Sequence, residues 1–228
     1  VISMCRADRN LRKGIDVHCG VGVSIVGNGV INVGDAGVYA VCESPSKFVR
    51  EVAIMNNIIH NEADIGKALS CSGISVGSSN DGSAIPPDPG GFCVSDNVIT
   101  SSFGNLGVAG VHVYMPQAGP APSEVYISKN HIFQAGAPGR HYGVIMANRE
   151  PPKGSPPDYK LPEIGLLQIT DNEIVCLNDC GAGVLASHAR EVVLKRNTVR
   201  CLGKAVYGIA SQGAEQLIES DNVVTGTF

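Results

Sequence analysis

The chain has no tryptophan, and aromatic residues make up only 5% of its 228 positions. Leucine is also scarce, with 11 Leu against 27 Val and 19 Ile. β-Branched residues lose side-chain freedom in a helix and suit stacked, pleated strands, so an all-β chain is expected. No apolar run reaches the roughly eighteen residues of a spanning helix, and no membrane partner is expected. The 17 Lys and Arg are scattered and the formal net charge is −4, which leaves no basic stripe for nucleic acid. GxSxG, HExxH, P-loop and GxGxxG signatures are all missing, so no compact catalytic motif announces an activity. No Asn-x-Ser/Thr sequon and no signal peptide can be read.

What the chain does have is one short phrase seven times over: apolar-x-apolar-x-x-Asn-x-(Ile/Val). The Asn residues are Asn28, Asn57, Asn97, Asn130, Asn172, Asn197 and Asn222, each followed two positions later by Val30, Ile59, Ile99, Ile132, Ile174, Val199 or Val224. Only the last copy decays, where Leu217 is followed by Glu219. A unit of this length cannot bury its own apolar face, so copies must stack into a solenoid. A second phrase alternates with the first, a Gly opening a short apolar run. It occurs at Gly14, Gly37, Gly73, Gly110, Gly143, Gly183 and Gly208. Period-two alternation means a strand with one face inward. Each repeat therefore holds at least two strands, with a Gly or Asn corner between them.

Leucine-rich repeats share the Asn phrase. The β-character of the second leg, the excess of Val and Ile and the irregular spacing favour a parallel β-helix. In that fold the Asn amides would stack into a ladder from coil to coil. About seven coils at strand spacing give a rod of about 34 Å, a single domain over residues 1–228. Neither end reads as the polar cap a solenoid needs, so the chain is expected to be part of a larger one.

Gly14-Ile-Asp-Val-His18 followed by Val23-Ser-Ile-Val-Gly-Asn28 resembles the pectin-lyase-like right-handed β-helix superfamily. Within it the chain is most similar to phage tailspike and polysaccharide depolymerase β-helices. The resemblance covers nearly the whole chain and is specific for fold rather than activity, because the same coil phrase serves lyases, hydrolases, epimerases and inert stalks. It implies a single-stranded right-handed parallel β-helix, a polysaccharide partner, a homotrimer, and a virion or extracellular location.

The spacing from the Gly of one coil to the Asn of the next locates the loops. It is 14 residues for Gly14→Asn28, Gly183→Asn197 and Gly208→Asn222, and 20 to 29 in the four coils between. Four insertions, Glu43–Arg50, Gly77–Gly91, Met115–Glu124 and Ala147–Glu163, therefore project on one side. They are rich in Pro, Gly and Ser, as loops are, and long loops on a rigid scaffold are where solenoids bind.

Stacking the Gly phrases gives two outward columns. One reads Asp16, Tyr39, Ser75, His112, Ile145, Leu185, Ala210; the next reads His18, Val41, Gly77, Tyr114, Ala147, Ser187, Gln212. Ile145, Leu185 and Ala210 look like a surface covered by a neighbouring subunit. The expected site lies at the polar N-terminal end. Glycoside hydrolysis needs two carboxylates, for which Asp16 and Glu43 are the leading candidates, with Asp81, Asp88 and Glu150 on neighbouring loops. Lyase chemistry needs a base and a cation, offered by His18, His112, Tyr114, Arg140, His141 and Arg149. Asp16, His18 and Glu43 are thus the expected catalytic residues, and Tyr39, His112, Tyr114 and Arg149 the expected substrate-binding ones. The bland alternative is a surface strand, an aromatic patch and a solvated Arg149–Glu150 pair, on a stalk that binds glycan or partner chains without turnover.

The eight cysteines read as small apolar fillers in or beside strands. Cys176 and Cys180 have ligand-like spacing, but no second pair or His set accompanies them in sequence, and neither metal nor other cofactor is expected. Free thiols suit assembly in a reducing compartment.

Overall fold

A computed structural model describes residues 1–9, 12–61, 71–79, 87–101, 108–135, 141–146, 154–156 and 158–228. Among these the chain is all-β, without a helix, and its strands pair in parallel. It passes repeatedly through three strand columns. The first face stacks eight strands: Ile2–Ser3, Gly20–Val26, Val49–Met55, Gly91–Ser95, Glu124–Ser128, Ile164–Thr170, Ala189–Lys195 and Gln216–Ser220. The second face stacks Arg6–Asp8, Gly29–Ile31, Ile58–Asn61, Val98–Ser101, His131–Gln134 and Glu173–Cys176. The third stacks Lys13–Asp16, Ala36–Cys42, Cys71–Ser78, Val108–Tyr114, His141–Met146 and Cys180–Ser187. The long strand Thr198–Gln212 runs across the second and third faces and joins them into one 14-stranded sheet that nearly closes on itself. This is a parallel solenoid, the arrangement a parallel β-helix requires.

The core is three aliphatic columns. Ile25, Ile54, Val94, Ile127, Ile169 and Leu194 lie in register on the first face. Val30, Ile59, Ile99, Ile132, Ile174 and Val199 do so on the second, and Val38, Ile74, Val111, Val144, Val184 and Ile209 on the third. All but Ile209 are essentially inaccessible, and burying each such side chain stabilises by about 1.5–3 kcal/mol. Period-two patterning sets this register, because a slip by one residue would turn every column to solvent.

The corner between the first and second faces is made by the repeated Asn. Each amide Nδ2 donates to the Oδ1 of the next, at 3.0 Å in all six steps from Asn28 to Asn222. From Asn57 onward each Oδ1 also accepts the backbone N–H of the preceding Asn, as Asn130 does from Asn97 at 3.1 Å, and Asn28 Oδ1 accepts the Cys5 N–H at 2.9 Å. The left-handed backbone falls on the residue before the Asn: Gly27, Asn56, Asp96, Lys129, Asp171, Arg196 and Asp221 all have φ between 53° and 67°. This corrects the expectation that Gly and Asn themselves supply the bend. Lys129 and Arg196 hold a conformation that costs an L-residue roughly 1–2 kcal/mol, offset by the ladder beside them.

The glycines of the second phrase play a different part. Gly37 and Gly73 do not adopt positive φ. A Cβ on Gly37 would lie 2.6 Å from the carbonyl oxygen of Gly73, and one on Gly73 would lie 2.7 Å from that of Gly110. Gly is required there because successive passes pack backbone against backbone.

The four expected insertions connect the third face of one pass to the first face of the next. Their described parts touch: Ser123 N–H donates to Gly90 O at 3.0 Å, and Tyr159 Oη–H donates to Gln117 O at 2.7 Å. Residues 80–86, 147–153 and 157 of these loops lie outside the described residues. Ile145, Leu185 and Ala210, the residues expected to lie under a neighbouring subunit, face outward and are half-buried within the chain itself. Exposed apolar side chains on the second face include Ile58 and Val98, which are register partners, and Phe133.

Candidate functional site

The third face stacks as the sequence columns require. Asp16, Tyr39, Ser75, His112, Ile145, Leu185 and Ala210 are successive register partners. Tyr114 pairs with Gly77, and Gly77 with Val41, in the adjoining column. Parallel in-register stacking therefore gathers residues separated by up to a hundred positions onto one patch.

Contacts run through that patch from end to end. Asp16 Oδ2 lies 3.1 Å from His18 Nε2 and 3.4 Å from Lys13 Nζ. The Lys13 ammonium sits 3.2 Å from the centroid of the Tyr39 ring, a cation–π contact. Tyr39 Oη–H donates to Glu43 Oε1 at 2.7 Å, and Glu43 Oε2 is 3.7 Å from Lys47 Nζ. Tyr39 meets Tyr114 edge to face at 6.1 Å, and Tyr114 stacks on His112 at 4.1 Å. Six of the seven expected site residues, Asp16, His18, Tyr39, Glu43, His112 and Tyr114, thus form one connected cluster. The seventh, Arg149, lies outside the described residues, as do Arg140, Asp81 and Glu150. Asp88 is exposed on its loop, with Oδ1 accepting the Gly90 N–H at 2.9 Å.

Accessibility divides the cluster. The side chains of Asp16 and His18 retain 31% and 49% of their accessibility, while Lys13 retains 10%. His112, Tyr114 and Glu43 are half-buried. Tyr39 is outward from the main core yet buried at 8%, within a small second apolar cluster with Ala36, Val41 and Tyr114. Burial, aided by the hydrogen bond to the Glu43 carboxylate, pushes the Tyr39 phenol far above its ordinary pKa. Tyr39 is therefore a neutral donor at every physiological pH. Close by, burial raises Asp35, and Lys13 and Arg12 pull against that rise.

Two members of the patch escape the sequence columns. Lys13 precedes the Gly at which the column was begun, and its register partners, Ala36 and then Ser72 and Ala109, are small. Extending the column one residue upstream exposes this signal, a long cation beside a row of small side chains. Asp35 lies in the turn before its strand and carries no periodic signature. His141, expected among loop-side bases, is a correction: it is wholly buried inside the solenoid.

The patch offers a solvent-facing carboxylate–imidazole pair, a second carboxylate tethered by a phenol, and a half-exposed aromatic stack. A carboxylate paired with imidazole can exchange a proton with a bound group, and ring faces can lie against the apolar face of a sugar. Comparison with protein-family models, curated proteins and solved structures finds no match to this chain.

Proposed function

We propose that this chain is a right-handed parallel β-helix that binds an extended polysaccharide along its third face and cleaves it. The observation that carries the reading is the continuous cluster from Asp16 to His112, in which titratable groups and rings occupy one loop-flanked surface. Asp16, backed by His18, is the acid or base. Glu43 is the second carboxylate, and Tyr114 with His112 is the platform for sugar rings. Lys13, 3.4 Å from Asp16 and with little of its side chain accessible, orients Asp16 and does not reach the substrate. The trimer suggested by the resemblance would use the second face, where Ile58, Val98 and Phe133 are exposed.

One observation favours a binding protein without turnover. Glu43 is engaged by both Tyr39 and Lys47, and the buried Tyr39 stands between the two carboxylates in the contact chain. The two readings separate on variants. If the patch cleaves, Asp16→Asn lowers turnover by about 10²–10⁴-fold while glycan binding persists, and Tyr114→Ala weakens binding. If the patch only binds, Tyr114→Ala weakens retention on glycan and no variant changes a product yield.

A further inference from the structure

At the inner corner between the second and third faces, toward the C-terminal end, His141, Cys176 and Cys180 form a three-donor group inside the core, and Cys201 lies against Cys180 at its edge. Cys176 ends its strand and stands in register with Cys201 of the next pass. Cys180 opens the following third-face strand, and its Sγ is 3.8 Å from that of Cys201. His141 opens the third-face strand one pass earlier, and donor atoms of His141, Cys176 and Cys180 all lie within 4.8 Å of one another. All four residues are buried, at 2% accessibility or less. The companions that Cys176 and Cys180 lack in sequence are thus supplied by stacking: Cys201 from the next pass and His141 from the one before.

We propose that His141, Cys176 and Cys180 form the core of a structural site for zinc(II), with Cys201, whose Sγ lies 3.8 Å from that of Cys180, turning in as the fourth ligand. A tetrahedral zinc with Zn–S bonds of about 2.3 Å sets its thiolates about 3.8 Å apart, which is the separation between Cys180 and Cys201. Three soft thiolates and one imidazole select zinc over magnesium or calcium. Binding releases the three thiol protons, and two positive charges on the metal against three thiolates leave one net negative charge. Gln134 supplies an independent observation. It stands in register with Cys176, is wholly buried, and neither of its amide atoms has a hydrogen-bond partner. A metal-bound thiolate one rung away is the acceptor that its N–H lacks, in the manner of outer-shell donors that tune metal sites. A disulfide is the competing use of the same thiols, but the sulfurs stand well beyond the roughly 2.05 Å of such a bond, and every described cysteine is a free thiol.

The test is made on the unaltered chain, purified under reducing conditions from cells supplied with zinc. Elemental analysis is expected to find about one equivalent of zinc per folded chain. Exchange for cobalt(II) is expected to give intense tetrahedral d–d bands and a thiolate-to-cobalt charge-transfer band. Cys201→Ser is expected to weaken cobalt affinity at least about tenfold, whereas Cys93→Ser, outside the cluster and half-buried, leaves it unchanged. The spectra of the unaltered chain stand even where a core variant misfolds. Folded chain with its thiols reduced, carrying less than about a tenth of an equivalent of zinc and giving no charge-transfer band, overturns the proposal. So does non-reducing peptide mapping that finds Cys180 joined to Cys201.

Discussion

At the scale of single residues, each amide of the Asn ladder satisfies several buried polar groups at once. Asn130 donates to Asn172 Oδ1 and Val94 O, both at 3.0 Å, and accepts from the backbone and side chain of Asn97. Asn130→Ala leaves several buried groups unpaired at about 1–3 kcal/mol each, a loss on the order of 4 kcal/mol. Asn222 closes the ladder at a partly exposed end, so Asn222→Ala is expected to lower the urea midpoint by less than half as much. Equal shifts would show that the ladder is not the source of the stability. Asp35 gives a prediction of opposite sign. Burial raises its pKa above the ordinary 3.8, so the folded state holds the proton more tightly than the unfolded one. The stability this contributes is full below the unfolded pKa and is lost as pH rises through the folded pKa. Asp35→Asn is therefore expected to raise Tm at neutral pH, with the gain vanishing on acidification below 3.8. A variant that is less stable at neutral pH would show that Lys13 and Arg12 outweigh the burial. Asp171 runs the other way. Its hydrogen bond to Arg196, the first cause, depresses its pKa, so this pair supports the fold above the ordinary carboxylate range and is lost in acid.

At the scale of elements, period-two patterning made the strands and their inward columns readable, and the Gly phrase made the outward columns readable down to individual register partners. The bend was not readable in the same way. Left-handed φ falls on the position before the ladder Asn, where Gly27, Asn56, Asp96, Asp171 and Asp221 are residues that tolerate it, but Lys129 and Arg196 are not and blur the signal. The glycines looked like bends but are contact points between passes. Alanine separates the two roles. Gly73→Ala drives a Cβ against the Gly110 carbonyl and is expected to cost about 1–3 kcal/mol, whereas a Cβ on Gly29 meets nothing within 4 Å and Gly29→Ala is expected to be neutral. Matching urea midpoints for the two variants would contradict close packing of the passes. Burial of the outward face was also unreadable. Tyr39 looked exposed by alternation, but Lys13, Glu43 and Tyr114 converge on it from another pass or further along the chain, and no local period encodes that.

At the scale of the whole molecule, the solenoid turns a one-dimensional pattern into a surface. Stacking at strand spacing brings Asp16, Tyr39 and His112 side by side although they are far apart in sequence, and the long loops fall on the same side because they interrupt the same corner of consecutive passes. The same logic assembled the thiol cluster, which sequence spacing within one repeat could not reveal because its members come from three passes. Function was the least legible level, because the phrases that specify the coil are indifferent to chemistry. The most direct measurement is incubation of the purified chain with a panel of acidic and neutral bacterial polysaccharides. New reducing ends and the ultraviolet absorbance of unsaturated uronates would be followed together, with Asp16→Asn in parallel. The expected result is release of reducing ends from at least one glycan by the unaltered chain and loss of that release in the variant, with the absorbance marking elimination rather than hydrolysis. No release from any glycan by folded protein, or release undiminished in Asp16→Asn, would contradict a catalytic third face.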